Sequence, residues 1–150
     1  MLLPGLKRLL DVRRVVGLRN PAHSVVKLIN PIAAPGRAVV VSSYTHPEYA
    51  VSMAATLELV QATALLLRGT EGEVVADPRR MVQMDGFVRG QRRLLQEAQP
   101  GHLPTLVDLP QSTDAESTAI YIKAVLAGDL PVPASIARQV EHILHLCAQA

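Results

Sequence analysis

Cysteine occurs once, at Cys147, so the chain can form neither an internal disulfide nor a four-cysteine metal site. Tryptophan is absent, phenylalanine occurs once and tyrosine three times, an aromatic share of 3%. That scarcity argues against a binding mode built on stacking bases against aromatic rings. No apolar run approaches the ~18 residues of a bilayer span. The start, Met1-Leu2-Leu3-Pro4, lacks the long apolar stretch and small-residue cleavage site of a secretory signal. The expectation is a cytoplasmic protein in a reducing setting, with no membrane partner.

What is present suits a folded chain. Its 150 residues make one compact domain or one lobe of a larger one. Apolar residues reach 49% and charged residues 19%, enough to bury a core and unlike an intrinsically disordered segment.

The net charge is only +2, but it is unevenly placed. Residues 1–40 carry Lys7, Arg8, Arg13, Arg14, Arg19, Lys27 and Arg37 against Asp11, a balance of +6. Residues 41–78 carry Arg68 against Glu48, Glu58, Glu71, Glu73 and Asp77, or −4. Residues 79–93 return to +4, with Arg79, Arg80, Arg89, Arg92 and Arg93 against Asp85. The remainder is −4: Lys123 and Arg138 against Glu97, Asp108, Asp114, Glu116, Asp129 and Glu141. Most of these bases are arginine, whose planar fork matches two phosphate oxygens at once.

Periodicity gives the element order. Residues 5–16 read as a helix with Leu6, Leu9, Leu10 and Val16 on one face, stopped by Gly17. Arg13 falls among those apolar positions, where it needs a partner, a ligand or a route to water. Pro21 suits the first turn of a second short helix ending near Leu28. Asn30-Pro31 and Pro35-Gly36 mark a loop, which sets a boundary between a helical segment, 1–36, and an α/β body, 37–150. Ala38–Ser43 reads as a buried strand, and Thr45 and Glu48 have capping-box spacing for a helix to about Val60. Its expected buried stripe is Tyr49, Met53, Leu57 and Val60. Thr63–Leu67 is a second apolar strand, so strand, helix and strand suggest a parallel pair. Short strands are expected at 71–75 and 103–109, within a stretch rich in proline. Thr113 and Glu116 form another capping box for a helix closed by Gly128. Pro131-Val132-Pro133 launches a last helix with Ile136, Val140, Ile143, Leu144 and Cys147 inward. The fold class is α/β: a partial mixed sheet flanked by helices and preceded by two short helices.

The stretch Gly17-Leu18-Arg19-Asn20-Pro21-Ala22-His23, then Lys27-Leu28-Ile29-Asn30-Pro31, resembles the anthranilate phosphoribosyltransferase family, glycosyltransferase family 3. That family shares the nucleoside phosphorylase/phosphoribosyltransferase fold. The chain is more similar still to the YbiB-like branch, whose members are described as nucleic-acid-binding. This likeness is carried by Leu9-Leu10-Asp11-Val12-Arg13, Ala22-His23-Ser24-Val25-Val26-Lys27-Leu28, Tyr44-Thr45-His46-Pro47-Glu48-Tyr49 and Leu67-Arg68-Gly69-Thr70-Glu71-Gly72-Glu73. The segments Val125-Leu126-Ala127-Gly128 and Pro131-Val132-Pro133-Ala134-Ser135-Ile136-Ala137-Arg138-Gln139-Val140 extend it to the C-terminus. Only the C-terminal half of such a protein is represented: the upstream half, with the glycine-rich loop that cradles ribose pyrophosphate, has no counterpart. Dimers of the family form mainly through a small helical domain, so a homodimer is implied only through what residues 1–36 retain of it.

The resemblance also places residues. Arg19 stands where the transferases meet an aromatic substrate's carboxylate, and His23 and Asn30 fall beside it as candidate pocket residues. The transferases hold magnesium with an Asp-Glu pair, and those positions fall on Val74 and Val75, which offer no oxygen ligand. The expected function is non-specific nucleic-acid (DNA) binding to the phosphate backbone of DNA or RNA, in a catalytically degenerate relative. Its candidate contacts are Lys7, Arg8, Arg13, Arg14, Arg19 and Lys27, joined by Arg79 and Arg80. The alternative is a phosphoribosyl or glycosyl transferase completed by the missing half, which would need magnesium and phosphoribosyl pyrophosphate; the leading reading needs no cofactor. No catalytic or metal-ligating set is expected. Glu71, Glu73 and Asp77 read as a solvated turn, His142, His145 and Cys147 lack ligand spacing, and Ser42-Ser43 with His46 lacks an acid.

Overall fold

In a computed structural model of the chain, residues 3–18, 22–30, 38–70, 73–105 and 107–150 are described. The elements run α1 (Pro4–Asp11), α2 (Arg13–Val16), α3 (Ala22–Val25), a single 3-10 turn (Val26–Leu28), β1 (Val40–Tyr44), α4 (Pro47–Leu59) and β2 (Ala64–Arg68). They continue with β3 (Met84–Val88), β4 (Gln91–Gln96), α5 (Ala115–Ala127) and α6 (Ala134–Cys147). The boundary expected at residue 36 falls outside the described residues.

The four strands form one mixed sheet in the order β1-β2-β3-β4. β1 and β2 are parallel, Val41 opposite Leu65 and Ser43 opposite Leu67, so the strand–helix–strand unit forms as the apolar runs imply. Both strands are buried on two faces because a helix covers each. On one face Tyr44, Ala64, Leu66 and Phe87 pack with Met53, Ala54 and Leu57 of α4. On the other, Leu65, Leu67 and Met84 pack with Leu146 and the half-buried Ile143 of α6. Alternate residues thus feed two cores, as pleating requires.

Strands β3 and β4 form an antiparallel hairpin, and the described residues of 71–75 and 103–109, expected as short strands, carry none. Val88 pairs with Gln91, leaving Arg89 and Gly90 as a two-residue turn with φ of 49° and 78°. Positive φ at both positions gives the turn the twist that matches the strands. The turn docks on the end of α4: Gly90 donates its N–H to the Ala62 carbonyl at 2.9 Å.

Several local expectations shift. The N-cap of α4 is His46, and no side chain caps it, so the Thr45–Glu48 box does not form. Met53 and Leu57 are buried as expected, but Tyr49 and Val60 are exposed and Ala54 takes their place. α5 is capped by Asp114, whose Oδ1 accepts from the Ser117 N–H at 2.8 Å, one residue after the expected Thr113. Gly128 closes α5 in the left-handed conformation, as expected. α6 is turned by about one residue. Ser135, Gln139 and Leu146 are its buried positions, while Val140, Leu144 and Cys147 are exposed.

The long first helix is broken at Val12 into α1 and α2, and Gly17 caps α2 in the left-handed region. Leu6 and Leu10 are half-buried and α1 lies on α3, but Leu9 and Val16 are exposed, contrary to the expected apolar face. Arg13 therefore reaches water. α5 buries no residue, and Ile120, Ile122 and Leu126 are exposed on it. The total accessible surface is 10183 Å². A tightly folded 16.2 kDa monomer would expose about 7,500 Å². No helix among the described residues is long and apolar enough to cross a membrane.

Candidate functional site

The N-terminal basic cluster divides in two. On α1 and α2, Lys7 pairs with Asp11, and Arg14 Nε lies 3.8 Å from Asp11 Oδ1. The Lys7 hydrogen bond is the main cause that holds the Asp11 carboxyl below the usual carboxylate range. Arg8 and Arg13 are exposed and form no ion pair with a described residue. Lys27 goes elsewhere. It is half-buried in the 3-10 turn, and its Nζ donates to the Ser43 carbonyl at 3.4 Å, near the carboxyl end of β1. Arg19 lies outside the described residues. His23 is half-buried in α3 and Asn30 is exposed after the 3-10 turn.

The Lys27 contact ties the N-terminal helices to the sheet edge where ligands bind in open α/β sheets, the carboxyl ends of the parallel strands. A cleft of about 790 Å³ opens at this edge. Tyr44 and Thr45 line it from the end of β1, and Arg68, Gly69 and Thr70 from the end of β2. The loop before β3 contributes Asp77 and Arg80, and the loop after β4 contributes Gln99 and His102. Those two loops are laced together: Gln99 N–H donates to the Met81 carbonyl at 3.0 Å and Leu103 N–H to the Arg79 carbonyl at 2.9 Å.

Arg79 and Arg80, adjacent in sequence, have different surroundings. Arg79 is bound to the buried Asp77, with Nε 3.1 Å from Oδ1. Burial alone would raise the Asp77 pKa, but the Arg79 backbone and side-chain hydrogen bonds and the charges of Arg79 and Arg80 outweigh it and hold the carboxyl below its ordinary value. Arg80 is exposed, lines the cleft and forms no ion pair with a described residue. The same division recurs one strand away. Arg92 sits 3.1 Å from the buried Asp85, which also accepts from Gln83 Nε2 at 2.8 Å. Arg68, at the end of β2, is exposed in the cleft with no such partner among the described residues. Tyr44 is buried, and burial together with the Asp85 charge pushes its phenol above the ordinary value.

The loop carrying Asp77 and Arg80 is fastened from behind by α6. Gln139 Oε1 accepts from Ala76 N–H at 2.8 Å, and its Nε2 donates to the Val74 carbonyl at 2.6 Å. Ser135 Oγ donates to the Asp77 carbonyl at 2.6 Å. Close approach favours glycine at position 69: a Cβ there would stand 3.0 Å from both the Glu73 carbonyl oxygen and Ser43 Cβ.

The chain is 41% identical, over 133 residues, to the uncharacterized protein YbiB of Escherichia coli (strain K12). The chain is similar to YbiB over most of its own length. The likeness covers 89% of this chain and 41% of that relative, so the chain spans about two fifths of YbiB's length. No protein-family model matches it. Of the expected phosphate contacts that fall on described residues, Arg80 alone lines the cleft, and Asp77, read as part of a solvated turn, lines it as well. Arg68 was readable as the last residue of an apolar strand, at the edge where α/β sheets bind ligands. Nothing local signals His102, because a loop return sets its position.

Proposed function

We propose that this chain binds nucleic acid non-specifically through its phosphate backbone, and that it is a catalytically degenerate relative of anthranilate phosphoribosyltransferase. The observation that carries the reading is the Lys27–Ser43 contact at 3.4 Å. It fastens the segment bearing Lys7, Arg8, Arg13 and Arg14 to the sheet edge that bears Arg68 and Arg80. Two cationic groups at one edge suit a chain of evenly spaced phosphates better than a single small anion. Scarce aromatics and a buried Tyr44 leave recognition to charge, without base stacking.

The transferase alternative meets an obstacle at its metal site. Val74 and Val75 are 40% and 50% exposed and carry no oxygen, so the residues at those positions do not fit magnesium. Exposed apolar side chains on α2 and α5 support a homodimer as part of the same proposal.

The test is a salt series with labelled single-stranded and duplex oligonucleotides. Binding falls linearly in log salt, with a slope of about 0.9 per neutralised phosphate on duplex DNA and about 0.7 on single strands. Replacing Arg8 and Arg14 with Glu lowers both affinity and slope. Absence of binding at low salt overturns the reading.

A further inference from the structure

The two arginines that face the cleft differ from their neighbours in charge balance. Arg79, in the loop before β3, and Arg92, on β4, are each matched by a buried carboxylate, Asp77 and Asp85. Arg68 and Arg80 are exposed and line the cleft, and neither is matched by a described carboxylate. His102 is a further nitrogen donor on the opposite loop. Among the described residues of the lining, the one carboxylate, Asp77, is bound to Arg79 at 3.1 Å. The cleft thus presents two guanidiniums that form no ion-pair contact with a described carboxylate, backed by the hydroxyls of Thr45 and Thr70 and the amides of Gln83 and Gln99.

A phosphodiester carries one negative charge, whereas a terminal phosphate monoester carries about 1.5 to 2 and exposes three strong acceptor oxygens. Two guanidinium forks satisfy those oxygens in pairs without a metal ion. A space of about 790 Å³ admits a mononucleotide-sized group but no duplex. The loop carrying Arg80 is pinned by Gln139 and Ser135, so that guanidinium's backbone is already held before any ligand arrives.

We propose that this cleft is a metal-free site for a phosphate monoester, with Arg68 and Arg80 as the two anion-binding side chains and His102 as a third donor. The group is either that of a free mononucleotide or the 5′-phosphate of a single strand; both offer the same monoester chemistry. The site goes beyond backbone binding, since it discriminates a terminal phosphate from internal ones.

The experiment uses the full 150-residue chain and calorimetric titration with AMP, adenosine and inorganic phosphate. In parallel, a short single strand is compared with and without a 5′-phosphate. AMP binds and adenosine does not, and each of Arg68→Gln and Arg80→Gln lowers AMP affinity by roughly tenfold. Thermal unfolding of both variants matches the parent, and Lys123→Gln, at an exposed position of α5 away from both sites, leaves AMP binding unchanged. A preference for the 5′-phosphorylated strand identifies a strand end as a source. Binding of AMP and phosphate without that preference identifies the free small molecule. Failure of AMP, phosphate and the 5′-phosphate to bind or to add affinity overturns the monoester site, even if long oligonucleotides still bind through α1 and α2. Conversely, AMP binding with no salt-sensitive binding of long strands overturns the polymer reading and leaves the monoester site standing.

Discussion

Arg79 and Asp77 close on one another twice: Asp77 Oδ1 accepts from the Arg79 backbone N–H at 2.9 Å and from its Nε at 3.1 Å. The carboxylate is buried and the guanidinium is exposed, so this turn pairs Asp77 with Arg79, where the sequence suggested a solvated acidic turn and a phosphate-binding arginine. The loop gains a fixed shape, and its second arginine, Arg80, is left for the cleft.

The pair makes stability depend on pH. Because the Asp77 pKa is held down in the folded state, the pair stabilises above the unfolded carboxylate value of about 4. That contribution is lost as pH falls through the depressed folded value. Asp11 and Asp114 are held low too, on the surface, so the difference between parent and variant isolates Asp77. Urea midpoints for the parent and Asp77→Asn lie further apart at pH 7 than at pH 2. A constant gap across that range would remove the pair from the account.

Gln139 is the strongest link between α6 and the loop before β3. Its replacement by Ala leaves the Ala76 N–H, on a residue only 1% exposed, without an acceptor and the Val74 carbonyl without a donor. Two orphaned backbone groups cost about 2–4 kcal/mol. Denaturant unfolding of Gln139→Ala measures this, and a loss under ~0.5 kcal/mol would show that water replaces the clamp. The same variant weakens AMP binding by loosening the backbone of Arg80.

Gly90 tests the hairpin turn. Its φ is 78°, and an added Cβ would lie 2.6 Å from the Glu58 carbonyl oxygen. Gly101 has a similar φ of 80° with open space around it. Gly90→Ala therefore suffers both strain and clash, about 2–3 kcal/mol, and Gly101→Ala only strain, about 1 kcal/mol. Equal losses in a thermal or denaturant melt would mean that the turn does not seat against α4 as described.

The legible parts of this fold were those written in apolar runs. Val39–Val41 and Ala64–Leu67 gave the parallel pair because both faces of those strands are covered. β3 and β4 stayed hidden because their faces carry charge: Asp85 is buried with Gln83 and with Arg92, seven residues on in the partner strand, as its partners. A carboxylate in a strand breaks the apolar alternation unless its counter-ion is known to arrive from across the ladder. The inward face of α6 was misread for a related reason. Ser135 and Gln139 face in because they bind loop carbonyls and an amide, and this turns Leu144 and Cys147 outward. The basic residues were visible in the sequence, but their partners were not. Asp11 takes Lys7, Asp77 takes Arg79, and the Ser43 carbonyl takes Lys27.

The clamp of α6 on the loop before β3 joins residues 58 to 65 positions apart in the chain. By contrast, the β3–β4 hairpin closes over two residues, an event of about 1–10 μs in isolation. Contacts of long sequence separation form late, since the intervening chain must first give up its freedom. A chain emerging from the ribosome therefore has its hairpin long before residues 134–147 exist to fasten the loop. The loop of Arg80 is fastened only once α6 has been made, so the order of synthesis makes the cleft mature after the hairpin.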